Sequence, residues 1–193
     1  MLFAGPAEDY ETGYKAFNSG NIADAMAPLR HAADGGHAAA QALLAYILNG
    51  AEFNEEAAAY YRKSAEQGNS DGEFGLGSMY AIGEGVPQSF VEARKWVMKS
   101  ASQGNKNAIA MLAQSYISGG LEFDEAARHG PEALAWIKRA AEFDYLPALI
   151  NLSTAYRTGQ YGLAVDPAMV ESLNARISKV REQKNSEPKP AKK

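Results

Sequence analysis

Apolar and small residues recur along this chain at the three-to-four-residue spacing of amphipathic helices, and the pattern itself repeats. Leu44, Leu76, Leu112 and Leu152 each stand eight residues after Gly36, Gly68, Gly104 and Asp144, and each is followed by a small residue, Ala45, Gly77, Ala113 or Ser153. Four positions beyond each leucine come Leu48, Tyr80, Tyr116 and Tyr156, which keeps every set on one helix face. A short phrase separates the faces: Ser64-Ala65-Glu66-Gln67-Gly68-Asn69, then Ser100-Ala101-Ser102-Gln103-Gly104-Asn105, then an altered copy, Ala140-Ala141-Glu142-Phe143-Asp144-Tyr145. The closing residues are 32, 36 and 40 positions apart, a range in which self-similarity means stacked helix pairs. The predicted fold is an all-α, right-handed solenoid of about five stacked antiparallel helix pairs.

Punctuation divides each copy in two. Ser70 to Ile82 predicts a first helix; Gly83-Glu84-Gly85-Val86-Pro87 breaks it, because glycine permits positive φ and proline removes a donor. A second helix is predicted from about Gln88 to Gln103, ending on Gly104 at the left-handed position after the cap. Tyr60, Trp96 and Trp136 fall at matched sites near small residues, and by their spacing are assigned to the core. Tyr10–Asn18 and Ile22–Asp34 form a shorter hairpin that serves as an N-terminal cap. At the other end, Asp166-Pro167 starts a helix to about Arg181 whose last turns become polar, as a terminal repeat must. The chain thus reads as an arm over residues 1–7, a repeat array over 8–183 and a disordered basic tail over 184–193. The arm is either the remnant of a leader or an ordinary start.

Composition narrows the function classes. No 18-residue apolar run is present, so direct membrane insertion is not expected. Without cysteine there is neither a disulfide framework nor a thiolate metal site. The formal charge is −4, and outside the last ten residues the balance is 15 basic against 22 acidic, the wrong sign for nucleic acid. His31 stands where other copies carry Lys63, Lys99 and Arg139 near a helix C-terminus, His37 stands where they carry Asn69 and Asn105, and His129 lies in a loop. No two histidines share a metal-ligand spacing, and no nucleophile–base set or carboxylate pair stands out, so no catalytic residue, metal or cofactor is expected.

Gly83-Glu84-Gly85-Val86-Pro87-Gln88, Glu92-Ala93-Arg94-Lys95-Trp96 and Ala65-Glu66-Gln67-Gly68-Asn69 together resemble the Sel-one-like repeat family, a relative of the tetratricopeptide repeats. The resemblance covers about residues 10–181. It is strongest over 70–105 and weakest in the last copy, where Gly159 to Val165 replaces the Gly-Val-Pro connection. It implies a non-catalytic adaptor, and many bacterial members are exported. The opening Asp9-Tyr10-Glu11-Thr12-Gly13 resembles the mature start of such members, which implies a periplasmic location, with the cytoplasm as the alternative. Some relatives are linked to penicillin binding, but Ser-x-x-Lys occurs here only at Ser186–Lys189, in the tail.

Tetratricopeptide-like stacks line their concave side with the first helix of each pair. Carried over, groove positions fall three, six, ten and thirteen residues after each closing residue. They include Tyr46, Asp71, Phe74, Ser78, Asn107, Gln114, Thr154 and Arg157, with Tyr46, Phe74, Gln114 and Arg157 as anchors for a protein or peptide segment. The lining lacks the Lys and Arg cluster that an acidic C-terminal peptide would need. The third connection, Gly119 to Pro131, is four residues longer than its counterpart and offers Phe123 and Arg128 as a second contact surface, unless Phe123 folds back onto the helices. The alternative to an adaptor is a subunit clamped onto a larger envelope complex by its convex face or its ends.

Overall fold

A computed structural model describes residues 5–186. The leader reading of Met1–Ala4 and the tail beyond Ser186 lie outside the described residues, as does Lys189 of the Ser-x-x-Lys match. Regular structure among the described residues is helical: α1 (Pro6–Asn18), α2 (Ile22–Asp34), α3 (Ala38–Gly50), α4 (Asn54–Glu66), α5 (Ser70–Ile82), α6 (Phe90–Ser102), α7 (Lys106–Ser118), α8 (Glu125–Arg128), α9 (Pro131–Glu142), α10 (Leu146–Thr158) and α11 (Pro167–Ser186). Leaving aside the single turn of α8, they succeed one another as five pairs. None is long and apolar enough to cross a membrane.

The recurring phrase ends each second helix in one way. Gly36, Gly68, Gly104 and Asp144 have φ of 88°, 78°, 93° and 60°. In each case the left-handed residue donates its N–H to the carbonyl three residues back and the next residue donates to the carbonyl five back, as Gly68 does to Ala65 and Asn69 to Ser64. These paired bonds satisfy helix-end carbonyls that would otherwise lack partners. Asp144 adopts the conformation that its repeat position demands, and Arg176 of α11 grips its Oδ1 through Nε at 2.9 Å and Nη2 at 2.6 Å. The following residue then starts the next helix. Asn69 Oδ1 accepts from the Asp71 and Gly72 amides, Asn105 Oδ1 from those of Asn107 and Ala108, and His37 Nδ1 from that of Ala40.

Two more residues of the phrase tie the helices of a pair together. Ser64 Oγ donates to the Ala38 carbonyl at 2.8 Å, and Ser100 Oγ to the Ser70 carbonyl at 2.6 Å. Gln67 Nε2 donates to Gln41 Oε1 and Gln103 Nε2 to Glu73 Oε2, each at 2.7 Å. Both links run from the end of the second helix to the start of the first. Between them the interior is packed with leucine and alanine: Leu44, Leu76 and Leu112 are completely buried, as are Ala40, Ala45, Ala57, Ala93 and Ala113. Alanine at these contacts lets helix backbones approach closely.

The structure departs from the sequence reading at several points. Trp96 and Trp136 are half-buried rather than core. Each ring lies under a cation three residues on: Lys99 is 4.6 Å from the centre of Trp96 and Arg139 is 5.3 Å from that of Trp136, while Lys63 sits 5.0 Å from Tyr60. The ring and the cation occupy one outer edge of the second helix, so the ring's inner part packs and its face meets charge. His31 does not stand alone at a helix end; its Nδ1 lies 2.6 Å from the buried Asp9 Oδ2 and joins α2 to α1. Helix α1 begins at Pro6, inside the expected arm, because proline suits the first helical position and Glu8 and Asp9 favour the positive end of the helix dipole. Helix α6 begins at Phe90 rather than Gln88, with Ser89 Oγ capping the Glu92 amide. Helix α11 continues to Ser186, so Lys184, Asn185 and Ser186 are helical rather than part of a disordered tail.

The chain divides into two compact units, residues up to Ala108 and residues from Ile109, with the boundary inside α7. Such division is natural in a repeat array, where each pair packs only on its neighbours. In the first unit α1 and α2, α3 and α4, and α5 and α6 form hairpins, with first helices α1, α3 and α5 side by side. In the second, α10 packs on both α9 and α11.

Two predictions concern the phrase. A Cβ at Gly104 would meet nothing within 4 Å, so its conformation is the only cost of substitution. Gly104→Ala should destabilise by about 1–2 kcal/mol, read as a fall of roughly 2–6 °C in Tm. Burial raises the Glu73 carboxyl pKa, against the lowering effects of the Gln103 donor and the Lys99 charge. A raised carboxyl favours the folded state while protonated, and that advantage is lost as pH rises through the unfolded and then the folded value. Glu73→Gln, which reproduces the Gln41 arrangement, should raise Tm at pH 7 by about 1–3 °C. The gain should shrink to nothing below about pH 4, where both states bind the proton.

Candidate functional site: an aromatic cleft on the first helices

The first unit carries a cleft of about 380 Å³ lined by first-helix residues of successive pairs. Ala39, Ala42, Tyr46 and Asn49 come from α3, Asp71, Phe74 and Ser78 from α5, and Asn107 from the start of α7. All of these are groove positions expected from the repeat spacing, because residues three, six or seven, and ten apart share one face of a helix. Tyr61 reaches the cleft from α4, and Gly75 makes room for it: a Cβ at Gly75 would lie 2.1 Å from a Tyr61 ring carbon.

Tyr10 and Tyr14 of α1 also line the cleft, and the sequence reading left them in the N-terminal cap. The signal was present. They precede Ala42 and Tyr46 by the same 32 residues that separate Gly36 from Gly68, so one more backward step of the period finds them. Tyr10 is stacked between His37, with centroids 4.5 Å apart, and Tyr14, at 5.6 Å. Tyr46 takes an edge-on contact from Phe17 at 6.1 Å and remains 61% exposed. Tyr14 and Ile82, at 43% and 59%, add to this open apolar surface.

Polar groups are few and specific. Asp71 Oδ1 accepts from Asn105 Nδ2 at 2.8 Å, which fixes the carboxylate at the cleft. Asn49 Oδ1 is buried and has no hydrogen-bond partner, and an orphan acceptor of this kind costs about 1–3 kcal/mol until something donates to it. Burial raises the Tyr61 phenol pKa, and the neighbouring Tyr46 and Asp71 raise it further. The Tyr10 phenol is likewise raised, by burial first, with Asp71 among the contributing charges. Among the described residues no lysine, arginine or histidine lines the cleft. Among the described residues no group of three His, Cys, Asp or Glu side chains is placed to hold a metal.

The remaining candidate residues lie in the second unit. Gln114, Ile117, Pro147, Ile150 and Thr154 line a shallow depression there, with the Tyr145 hydroxyl 3.3 Å from Gln114 Oε1. Arg157 is exposed, outside this lining, 3.5 Å from Thr154 Oγ1. The four expected anchors therefore fall into two sets, Tyr46 with Phe74 in one unit and Gln114 and Arg157 in the other. In the lengthened connection Phe123 stacks on Tyr116 at 3.9 Å with 17° between planes. Arg128 donates from Nε to the Tyr116 carbonyl and from Nη2 to that of Ile117. Both side chains engage the framework of their own loop, where α7 ends with carbonyls that need donors. Arg128→Ala should speed amide hydrogen exchange across residues 119–130 at least tenfold while leaving α3 unchanged. Equal exchange in both proteins would remove Arg128 from this role.

The sequence matches the Sel1 repeat over residues 38–69, 70–105 and 123–142. It is similar to the ERAD-associated E3 ubiquitin-protein ligase component HRD3A of Arabidopsis thaliana, 27% identical over 178 aligned positions that cover 82% of this chain and 26% of that protein. It is also similar to DAP3-binding cell death enhancer 1 of Rattus norvegicus, 37% identical over 86 positions covering 44% of this chain and 17% of that protein. The chain thus spans only a small part of either relative. Among solved structures it resembles a Sel1 repeat protein from Oxalobacter formigenes, with a TM-score of 0.75 and 28% identity over 89% of this chain and 70% of that one. Sel1 repeats are scaffold-like units that typically mediate contacts between proteins, and this chain carries three of them.

Proposed function

We propose that the chain is a non-catalytic adaptor that holds a protein segment in the cleft of its first unit. The observation that carries this reading is the gathering of exposed Tyr14, Tyr46 and Ile82 around one concavity. Large apolar side chains scattered singly need no explanation, whereas a cluster around a recess with a few fixed polar groups is the form of a recognition site. Aromatic side chains supply contact area at low conformational cost, which is why they dominate interface energetics. The relatives support the class of partner. One is a component of a ligase and the other is named for binding another protein.

Site-specific photo-crosslinking in native cells tests the reading. A benzophenone side chain placed at Tyr46 should yield discrete adducts with protein, while one at Val91, 64% exposed on α6, should not. Tyr46→Ala combined with Phe74→Ala should reduce capture of the same adducted protein at least tenfold, with melting within about 3 °C of the parent. Adducts from Val91 alone, or capture indifferent to the double substitution, would move the interface elsewhere.

A further inference from the structure

The chemistry of the cleft goes further and selects one kind of side chain, an inference that rests on the reading of this cleft as a recognition site. We infer that the cleft recognises a protein segment by taking in an arginine side chain, held against tyrosine faces with its guanidinium directed at Asp71.

Two independent features point to a cation. The walls are rings: Tyr10, Tyr14, Tyr46, Tyr61 and Phe74 converge on one cleft. The negative face of an aromatic ring attracts a cation placed over it, more strongly as water is excluded. Among the described residues of the lining Asp71 carries the only formal charge, and it is oriented by the bond from Asn105. Its influence reaches both sides of the cleft, since it contributes to the raised phenol pKa of Tyr10 on α1 and of Tyr61 on α4.

Each feature by itself suits several ligands. An apolar side chain would use the rings but cover the Asp71 carboxylate without pairing its charge, and an anion would be repelled by Asp71. A guanidinium satisfies both. It is planar and stacks on rings, it is weakly hydrated, and its fork of donors matches a carboxylate. Outside its last ten residues the chain has an excess of acidic over basic residues, which favours approach of a basic segment.

The cleft is already built on the protein side of this chemistry elsewhere in the fold. Lys99 over Trp96 and Arg139 over Trp136 show the same ring-and-cation pairing satisfied within the chain. In the cleft the rings have no cation among the described residues of the lining.

Amide chemical-shift titration of the full chain with N-acetyl-arginine amide, and with its neutral isostere N-acetyl-citrulline amide, tests the assignment. The arginine compound should give saturable shifts at Asn49, Phe74 and Asn107, at least tenfold tighter than the citrulline compound. Asp71→Asn should reduce that preference to within about threefold while leaving the fold unchanged. Equal binding of the two compounds, a preference that survives Asp71→Asn, or no saturable shift with arginine would each overturn the cation assignment. None of these results would touch the crosslinks from Tyr46, which decide separately whether the cleft meets a protein.

Discussion

The fold depends on a single left-handed residue at the end of each second helix. An α-helix cannot reverse direction while its last carbonyls lack donors, and a residue with positive φ turns the backbone so that two following amides fill them. In this chain the next side chain caps the helix that follows, so stopping one pair and starting the next occupy two adjacent positions. Because Gly68 and Asn69, or Gly104 and Asn105, carry both functions, the direction in which each pair leaves is set locally. Asp144 shows how firm the constraint is. It takes up the same φ region without the freedom of glycine, and Arg176 supplies an ionic partner across from α11.

Once the turn is set, the other residues of the phrase fix the spacing within a pair. The hydroxyls of Ser64 and Ser100 and the amides of Gln67 and Gln103 bind the start of the preceding helix, and completely buried alanines allow close backbone approach. Positions that perform these tasks have little freedom to vary. The first-helix positions three, six and ten after the turn carry no such duty, and in the first unit they differ from copy to copy: Ala39 against Asp71, Ala42 against Phe74, Tyr46 against Ser78. Variation there leaves the stack intact and changes only what the cleft presents. The cleft of the first unit has come to hold several rings and one carboxylate, a surplus of aromatic surface that packing alone does not require.

The lengthened connection between α7 and α9 shows the opposite economy. Extra residues in a repeat protein are natural places for partner contacts, and Phe123 among acidic neighbours had that character in the sequence. In the folded chain the insertion uses its own side chains to stay in place, with Phe123 on Tyr116 and Arg128 on the end of α7. Sequence spacing locates an insertion but does not reveal which way its side chains turn, because that choice depends on unpaired carbonyls and ring faces nearby in space.

The sequence by itself determined the helix pairs, their period, the closing residues and the faces that the first helices turn toward the cleft. These follow from rules that act within a few residues: the 3.6-residue repeat, positive φ at glycine, and capping by asparagine. Tertiary structure alone decided the rest. It brought Tyr61 of α4 beside Tyr46 by leaving no side chain at Gly75, and it placed Trp96 at the edge rather than in the core. It left Asn49 Oδ1 buried without a donor, and it gave Tyr46 and Phe74 to one unit and Gln114 and Arg157 to the other. Burial, orphaned acceptors and the meeting of rings depend on what neighbouring helices bring to the same place, and a local pattern holds no record of that.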